Sequence, residues 1–215
     1  MSRPVVQSAA TIRAPRPGAE ALSEPLRSRW SPSVYDDEHT LTRPEIDQLL
    51  AAAQWAPSAG NSQPWILFVC ERGSANHARL VARLSRGNSG WVPRASVVFV
   101  TAAHVRTGTE VDAPAYSDYA LYDVGQAAAH LTLQAHSMGL HAHQFAGFDH
   151  EALAVDLELP GTHVLLTGIA VGRQGDAADV DERTAARDQK VRERREVAEI
   201  ARAGTWAESW GVRHP

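Results

Sequence analysis

The pattern of hydrophobic and polar residues first predicts a helix that begins near Thr42. Thr42 and Glu45 have the spacing of a capping box, in which each side chain accepts a hydrogen bond from the other residue's backbone. Pro44 is compatible with the first turn of a helix, and Pro57 ends the pattern. One apolar face follows at helical spacing: Ile46, Leu49, Leu50 and Ala53.

Apolar runs elsewhere predict strands at 65–70, 95–103, 141–147 and 163–172. Ser74 and Asp149 are suitable N-caps for two further helices. Helices and strands alternate irregularly, and the sequence contains neither a GxGxxG segment after a strand nor a GxxxxGK[ST] phosphate loop. Any phosphate must therefore be held by side chains and by other helix termini.

The most regular pattern predicts a long helix from about Asp118 to Met138, and Gly139 is a suitable residue to end it. Its apolar positions recur at alternating steps of three and four, with several small side chains. Such a stripe is typical of the centre of a domain or of a seam between two subunits. Its members are Leu121, Val124, Ala128, Leu131, Ala135 and Met138.

Composition narrows the possible classes of protein. The chain has 215 residues, enough for one domain with a core, and we assign residues 25–215 to it. Its net charge of −4 disfavours a general nucleic-acid-binding protein. The only cysteine, Cys70, excludes an internal disulfide and is expected to be a buried strand residue. No apolar run approaches the roughly 18 residues of a membrane helix.

The two ends of the chain differ from the middle. Residues 1–24 are rich in Pro, Ser, Ala and Arg and predict a flexible arm without the apolar core of a signal peptide, so we expect a cytoplasmic protein. From about residue 184 the sequence is charged and predicts a partly helical arm. Trp206 and Trp210 lie in this arm, and two exposed tryptophans favour packing on a partner subunit.

The segment 57–65, PSAGNSQPW, is the first candidate for chemistry. It offers four hydrogen-bonding side chains between a predicted helix and a predicted strand, and Gly60 permits unusual backbone dihedrals. Such a loop can present amides and hydroxyls to the polar edge of a flat ligand. Composition alone favours an ordinary connection between the helix and the strand. The four side chains are Ser58, Asn61, Ser62 and Gln63.

Three other clusters have a possible role in binding. Arg27 and Arg29, placed before a predicted helix or turn, can bind a phosphate, and so can the arginines of segment 191–200. Segment 139–149 turns from a strand into a helix, where backbone N–H groups can face a ligand. Each cluster alone is also compatible with a solvated linker or a charged helix. We find no characteristic metal-ligand spacing and no Ser-His-Asp or Cys-His arrangement.

Taken in order, these segments resemble the nitroreductase family of FMN proteins. RWSPSVY (29–35) is similar to the family's N-terminal RRSxRxF element, and APSAGNSQPW (56–65) is similar to its flavin-contacting loop. Residues 122–149 resemble its central helix and the following flavin-facing loop. RREVAEI (194–200) is similar to the C-terminal RRPLEEI element. The resemblance covers roughly residues 26–206.

This resemblance implies an α+β fold, with a mostly antiparallel sheet flanked by helices, and an intertwined homodimer with FMN at the subunit interface. It implies that Arg194 or Arg195 contacts the phosphate and that backbone N–H groups of Ala146 and Gly147 face the reactive ring. The remaining implied cofactor-binding positions are Arg29, Trp30, Ser31, Ser33, Ser58, Ala59, Asn61 and Gln63.

The resemblance further implies an oxidoreductase in which NADH or NADPH reduces the flavin and a nitroaromatic, quinone or flavin then accepts the electrons. The flavin carries the chemistry, and no catalytic side chain is required. Ser33 stands where the family motif has a second basic residue, and Ala146 replaces an acidic residue of some members. The segment before the long helix is short, which predicts a more open substrate pocket. The alternatives are an oxidase or dehalogenase on the same fold, or an FMN-binding protein without catalysis.

Overall fold

A four-stranded antiparallel sheet forms the centre of the protein in a computed structural model that describes residues 19–190 and 192–211. The described residues 19–188 form one compact unit, and those from 189 onward belong to a second. Most of the predicted arm at 1–24 lies outside the described residues. The strands are β1 (Trp65–Glu71), β2 (Val97–His104), β3 (His141–Phe145) and β4 (His163–Gly172).

The strand order is β1-β2-β4-β3, so that β1 and β3 lie at the two edges of the sheet. All three strand pairs are antiparallel, which confirms the predicted sheet. Strand β2 is buried from Val97 to Ala103, as its continuous apolar sequence predicts for a central strand covered on both faces.

Helices cover both faces of this sheet because side chains of a strand alternate between its two sides. Val97 and Phe99 of β2 face one side, and Val98 and Val100 face the other. The first core includes helices α2 (Arg43–Gln54) and α4 (Ala120–Ser137), and the second includes α3 (Ala75–Arg83) and α5 (His150–Asp156). The larger unit is therefore a sheet between two helical layers, the α+β arrangement expected from the sequence.

The predicted helix starts agree with the structure. Thr42 and Glu45 form the capping box of α2. Ser74 accepts a hydrogen bond from the backbone of His77, and Asp149 accepts one from Ala152, so both act as N-caps. The short helix α1 (Glu24–Ser28) was not predicted; Pro25 lies in its first turn, where its missing N–H is tolerated.

The long helix α4 ends where the sequence predicts. Gly139 follows it with a φ of 74°, in the left-handed region that a helix-terminating glycine adopts readily. Of the apolar stripe, Val124, Ala128, Leu131 and Ala135 are buried, whereas Leu121 is 55% exposed. The first turn of α4 therefore presents apolar surface to solvent in the single chain.

The second unit contains the short helix α7 (Val197–Ile200) and a turn closed by a bridge between Arg202 and Ser209. The Arg202 guanidinium donates hydrogen bonds to the carbonyls of Ala198 and Ala201 and lies 4.9 Å from the ring centre of Trp206. Large apolar side chains of this unit are nevertheless exposed: Val197, Ile200, Trp206 and Trp210. Among all described residues, no helix is long and apolar enough to cross a membrane.

Candidate functional site

The N-terminal segment after α1 forms one wall of the candidate site. Arg29 follows this helix instead of preceding one, which corrects the order expected from the sequence. The next residues are held by helix α6 (Glu182–Asp188), whose last side chain accepts hydrogen bonds from the backbone N–H groups of Ser33 at 2.6 Å and Val34 at 3.1 Å. This pair of charge-assisted bonds fixes the course of the segment beside the sheet.

A cavity of about 400 Å³ opens between this segment, helix α4 and edge strand β3. Arg29 supplies positive charge, and Ser31 and Thr132 supply hydroxyl groups. Gln144 of β3 donates from its side-chain amide to the Thr132 hydroxyl at 3.0 Å. Among the residues that the structure describes, no carboxylate lines this cavity; the described lining consists of Leu26, Arg29, Ser31, Ala129, Thr132, Leu133, Ala142, His143 and Gln144.

A second cavity of about 320 Å³ adjoins the first, since Ser31 and His143 line both. Its other lining residues are Ser33, Asn88, Trp91, Arg187 and Asp188. We refer to the two as the larger and the smaller cavity. Each lies within the size range of small-molecule sites, about 300–1,000 Å³.

His143 separates the two cavities and is fixed by its neighbours. Its Nδ1 lies 2.7 Å from the Pro32 carbonyl, and its ring stacks on Trp91 with centres 4.3 Å apart. Because a carbonyl only accepts, Nδ1 carries the proton. Burial holds the pKa of the His143 imidazole below its ordinary value, and the neutral ring therefore predominates at neutral pH.

The turn at Ala146 and Gly147 lies close to the smaller cavity. The Gly147 carbonyl accepts hydrogen bonds from the Ser85 backbone at 2.9 Å and from the Asn88 side chain at 3.0 Å. A Cβ atom at residue 147 would lie only 2.5 Å from the amide nitrogen of Asn88, so a larger residue here would displace the Asn88 side chain from the turn. Trp91 in turn donates its indole N–H to Asn88.

The polar loop before β1 is held in an uncommon backbone conformation. Gly60, Asn61 and Gln63 have φ values of 58°, 56° and 46°. Residues other than glycine and asparagine rarely adopt this backbone region. Backbone strain of this kind, here at Gln63, concentrates at functional sites. Asp123, which is buried in α4, stabilises the loop by accepting a hydrogen bond from the Ala59 backbone at 3.1 Å.

Two further contacts complete this loop. Ser58 accepts a hydrogen bond from the Gln63 backbone at 3.0 Å, and the Tyr116 hydroxyl donates to the Ser62 carbonyl at 2.9 Å. Tyr116 also stacks on His104, with ring centres 3.8 Å apart. The side chains of Asn61 and Gln63 remain exposed to solvent.

The structure of a single chain does not bring this loop to the two cavities. Asp123 anchors the loop to α4, whereas Thr132 lines the larger cavity; at about 1.5 Å per residue they are about 14 Å apart along the helix axis. The loop also leads into β1, and the cavities lie on β3 at the other edge of the sheet. At the usual strand spacing the two edges are about 14 Å apart.

The remaining predicted positions are distributed as follows. Trp30 packs edge-on against His141, with ring centres 5.6 Å apart. Arg194 and Arg195 are exposed in the second unit, and Arg194 donates a hydrogen bond to the Glu193 carbonyl. The larger unit thus brings Arg29, Ser31 and Ser33 to the cavities, with the turn at 146–147 next to them.

Several residues that line or support the site were not predicted from the sequence. Asn88 and Trp91 lie in a turn without a recognisable motif, and Arg187 and Asp188 lie in a charged stretch that resembles any solvated helix. The only signal for Asp123 is a charged residue inside an apolar helical stripe. Its neighbours in sequence do not reveal that the loop at 58–62 would pair with it.

Comparison with known proteins shows which family this chain matches. The model of the nitroreductase family matches residues 26–173. A 127-residue stretch is 37% identical to an "uncharacterized 15.4 kDa protein in ask 5'region" of Mycolicibacterium smegmatis, covering 59% of this chain and 82% of that protein. A solved oxidoreductase containing FMN superposes with a TM-score of 0.79 at 28% identity, over 87% of this chain and 94% of the other. A nitroreductase family protein from Clostridium difficile 630 gives 0.62 at 20% identity, over 82% and 94%.

Proposed function

The chain belongs to the nitroreductase family, and from this premise we propose that it is an FMN-dependent oxidoreductase whose flavin binds in the two adjoining cavities. The observation that carries the proposal is the set of groups around them. FMN combines an anionic phosphate, a hydroxylated chain and a flat ring with a polar edge. The cavities offer a cation at Arg29, hydroxyls at Ser31 and Thr132, and the imidazole ring of His143.

Each part of this set has a physical role towards the cofactor. Arg29 provides a charge-assisted donor for the phosphate, and Ser31 provides a hydroxyl between the two cavities. Backbone N–H groups at Ala146 and Gly147 are the proposed donors to the reactive ring. Asn88 fixes this turn through the Gly147 carbonyl, so the donors are held in place before the cofactor binds.

The flavin, when bound, supplies hydride and electron transfer between a nicotinamide donor, NADH or NADPH, and a small-molecule acceptor such as a nitroaromatic, a quinone or a flavin. The protein's own contribution is binding and orientation. Burial keeps His143 neutral and the Pro32 carbonyl holds it in one tautomer, so it presents a fixed, uncharged wall between the cavities.

We propose that a second copy of the chain completes the site with the loop at 58–63. The loop is preformed by Asp123 and Tyr116, yet its Asn61 and Gln63 side chains are exposed in the single chain. A homodimer accounts for both observations, because the loop of one subunit then reaches the cavities of the other. Exposed apolar residues next to the loop favour burial against such a partner: Trp55, Tyr119, Leu121 and Tyr122.

The second unit fits the same assembly. Its exposed Val197, Ile200, Trp206 and Trp210 favour packing of the C-terminal arm on a partner subunit. Arg194 or Arg195 is the proposed second contact to the cofactor phosphate, since both are charged and exposed. Ser58, Ala59, Asn61 and Gln63 are proposed as contacts of the flavin ring and its chain.

The test is the absorption spectrum of the freshly purified protein, followed by anaerobic addition of NADH and NADPH. We expect a bound flavin that is released as FMN on denaturation and that is bleached by at least one of the two nucleotides. A protein that neither retains nor rebinds FMN would refute the cofactor assignment. A bound flavin that neither nucleotide bleaches would refute the electron donor and leave the cofactor assignment standing.

A further inference from the structure

Arg187 lies in the wall of the smaller cavity, and nothing above gives it a role. Its guanidinium donates a hydrogen bond from Nη1 to the Gly87 carbonyl at 2.9 Å. Gly87 precedes Asn88, whose side chain fixes the turn at Gly147. The arginine thus connects helix α6 with the turn that carries Asn88 and Trp91, across the cavity that both line.

Contacts on helix α6 and on the turn at Gly87 together fix the position of the Arg187 guanidinium. The following residue, Asp188, binds the backbone N–H groups of Ser33 and Val34, which holds the end of α6 against the N-terminal segment. The Gly87 carbonyl holds the guanidinium itself. A guanidinium carries several N–H donors in one plane, and the bond to Gly87 requires only one of them.

The two cavities differ in the charge that they favour. Arg29 lines the larger cavity, and none of the described lining residues there carries a carboxylate. The smaller cavity contains Arg187 together with the carboxylate of Asp188, which would repel a phosphate. Its remaining groups are an amide, an indole, an imidazole and two hydroxyls, a set suited to a flat, uncharged heterocycle with carbonyl groups at its edge.

We propose that Arg187 is a cofactor-binding residue that donates to the carbonyl edge of the flavin ring in the smaller cavity, while the phosphate lies in the larger cavity. This inference rests on the proposed function. A fixed positive charge beside the ring stabilises the negative charge that the ring gains on reduction. Arg187 therefore also raises the midpoint potential of the bound flavin.

The test compares Arg187→Gln with the matched control Arg183→Gln, which changes an exposed arginine of the same helix. Dissociation constants of FMN and of riboflavin are measured by fluorescence quenching with the full chain. Because the contact is to the ring, Arg187→Gln is expected to raise the dissociation constants of both flavins by a similar factor. The factor is roughly tenfold for a charge-assisted hydrogen bond. The control is expected to match the wild type.

The midpoint potential gives a second readout that loss of packing alone would not imitate. Equilibration with a reference dye is expected to show a more negative potential in Arg187→Gln, and a potential closer to that of the wild type in Arg187→Lys, which keeps the charge. Thermal unfolding of each variant shows that it is folded.

Three results would overturn the inference. Weaker binding of FMN with unchanged binding of riboflavin would assign Arg187 to the phosphate. Unchanged binding of both flavins, or an unchanged potential in Arg187→Gln, would remove it from the cofactor site. A wild-type protein that binds neither flavin would instead overturn the proposed function itself, so the two failures are distinguishable.

Discussion

At the scale of single residues, burial determines the protonation state of two side chains near the sheet. Cys70 is fully buried in β1, and burial alone raises the pKa of its thiol to about 12. Burial also lowers the pKa of the His143 imidazole. The two shifts have the same cause, since a poorly hydrated environment disfavours whichever form carries the charge. Both residues are therefore neutral at physiological pH.

Cys70 is expected to be unreactive in the native protein. Thiol reagents attack the thiolate, and a buried thiol with a pKa of about 12 has almost none at pH 8. Titration with a chromogenic disulfide reagent should show no reaction under native conditions and one thiol per chain in denaturant. A full reaction within minutes in the native state would contradict the burial of Cys70.

His143 is expected to make the protein less stable in acid. Its pKa in the folded protein lies below the ordinary value of 6.5, so the unfolded chain binds the proton more strongly. The stability that it contributes is present above pH 6.5 and is lost as the pH falls towards the pKa of the folded protein. Arg187 opposes protonation, whereas Asp188 and the Pro32 carbonyl favour it, and burial outweighs both.

The measurement is the free energy of unfolding at several pH values between 7.5 and 5, for the wild type and for His143→Gln. The variant is expected to lose less stability over this interval, because glutamine does not titrate and can still donate to Pro32. His39, His77 and His163, whose pKa values are also lowered, remain in both proteins and cancel in the comparison. Equal slopes would contradict the role of His143.

Single residues were predictable from the sequence where their role is local. Ser74 and Asp149 cap helices within three residues of their own positions, and Cys70 belongs to an apolar run. Asp188 could not be predicted in this way, because its partners Ser33 and Val34 are more than 150 residues away along the chain. The fold alone determines such a pair.

At the scale of elements, helix α4 organises both halves of the proposed site. Its buried face packs against the sheet, its first turn binds the loop at 58–62 through Asp123, and its later turns line the larger cavity. The sequence predicted the helix, its apolar stripe and its end at Gly139. The exposure of Leu121 was not predictable, since periodicity identifies an apolar face but not what covers it.

Removing the Asp123 carboxylate is expected to loosen the loop. Asp123→Ala leaves the Ala59 N–H without its charged acceptor, which costs about 0.5–1.5 kcal/mol because Ala59 is exposed and water can replace the lost partner. Gln63 then has less support for its uncommon φ of 46°. We expect faster amide exchange at residues 59–63 and weaker FMN binding, with the sheet unchanged.

Asp118→Ala is the matched control, because Asp118 is exposed and lies just before the same helix. Hydrogen exchange followed by mass spectrometry separates the loop from the rest of the chain. If exchange in the loop is as slow in Asp123→Ala as in Asp118→Ala, the carboxylate does not hold the loop.

At the scale of the whole molecule, the order of the strands places two motifs of the family resemblance at opposite edges of the sheet. The motifs at 29–33 and 58–63 are close in sequence, yet the loop enters β1 at one edge and the cavities lie on β3 at the other. The sequence alone carried no information on this separation, because it depends on the order β1-β2-β4-β3. The proposed homodimer would reconcile the resemblance with this geometry.

Subunit complementation tests this assembly directly. Arg29→Ala removes the cation of the larger cavity, and Asn61→Ala alters the loop; each variant alone is expected to bind FMN more weakly. If a site combines Arg29 of one subunit with the loop of the other, a mixed dimer contains one doubly altered site and one intact site. Equal mixing then restores about a quarter of all sites to full affinity.

The mixture is prepared by joint unfolding and refolding, and tight FMN sites are counted by titration. Light scattering should give twice the chain mass of 23.3 kDa for the wild type and both variants. Each variant refolded alone is the control and should contain no tight sites. If the loop instead acts on the cavities of its own chain, every site in the mixed dimer carries one alteration, and no tight sites appear. Recovery therefore requires both a dimer and a site shared between its subunits, because neither feature alone produces an intact combination.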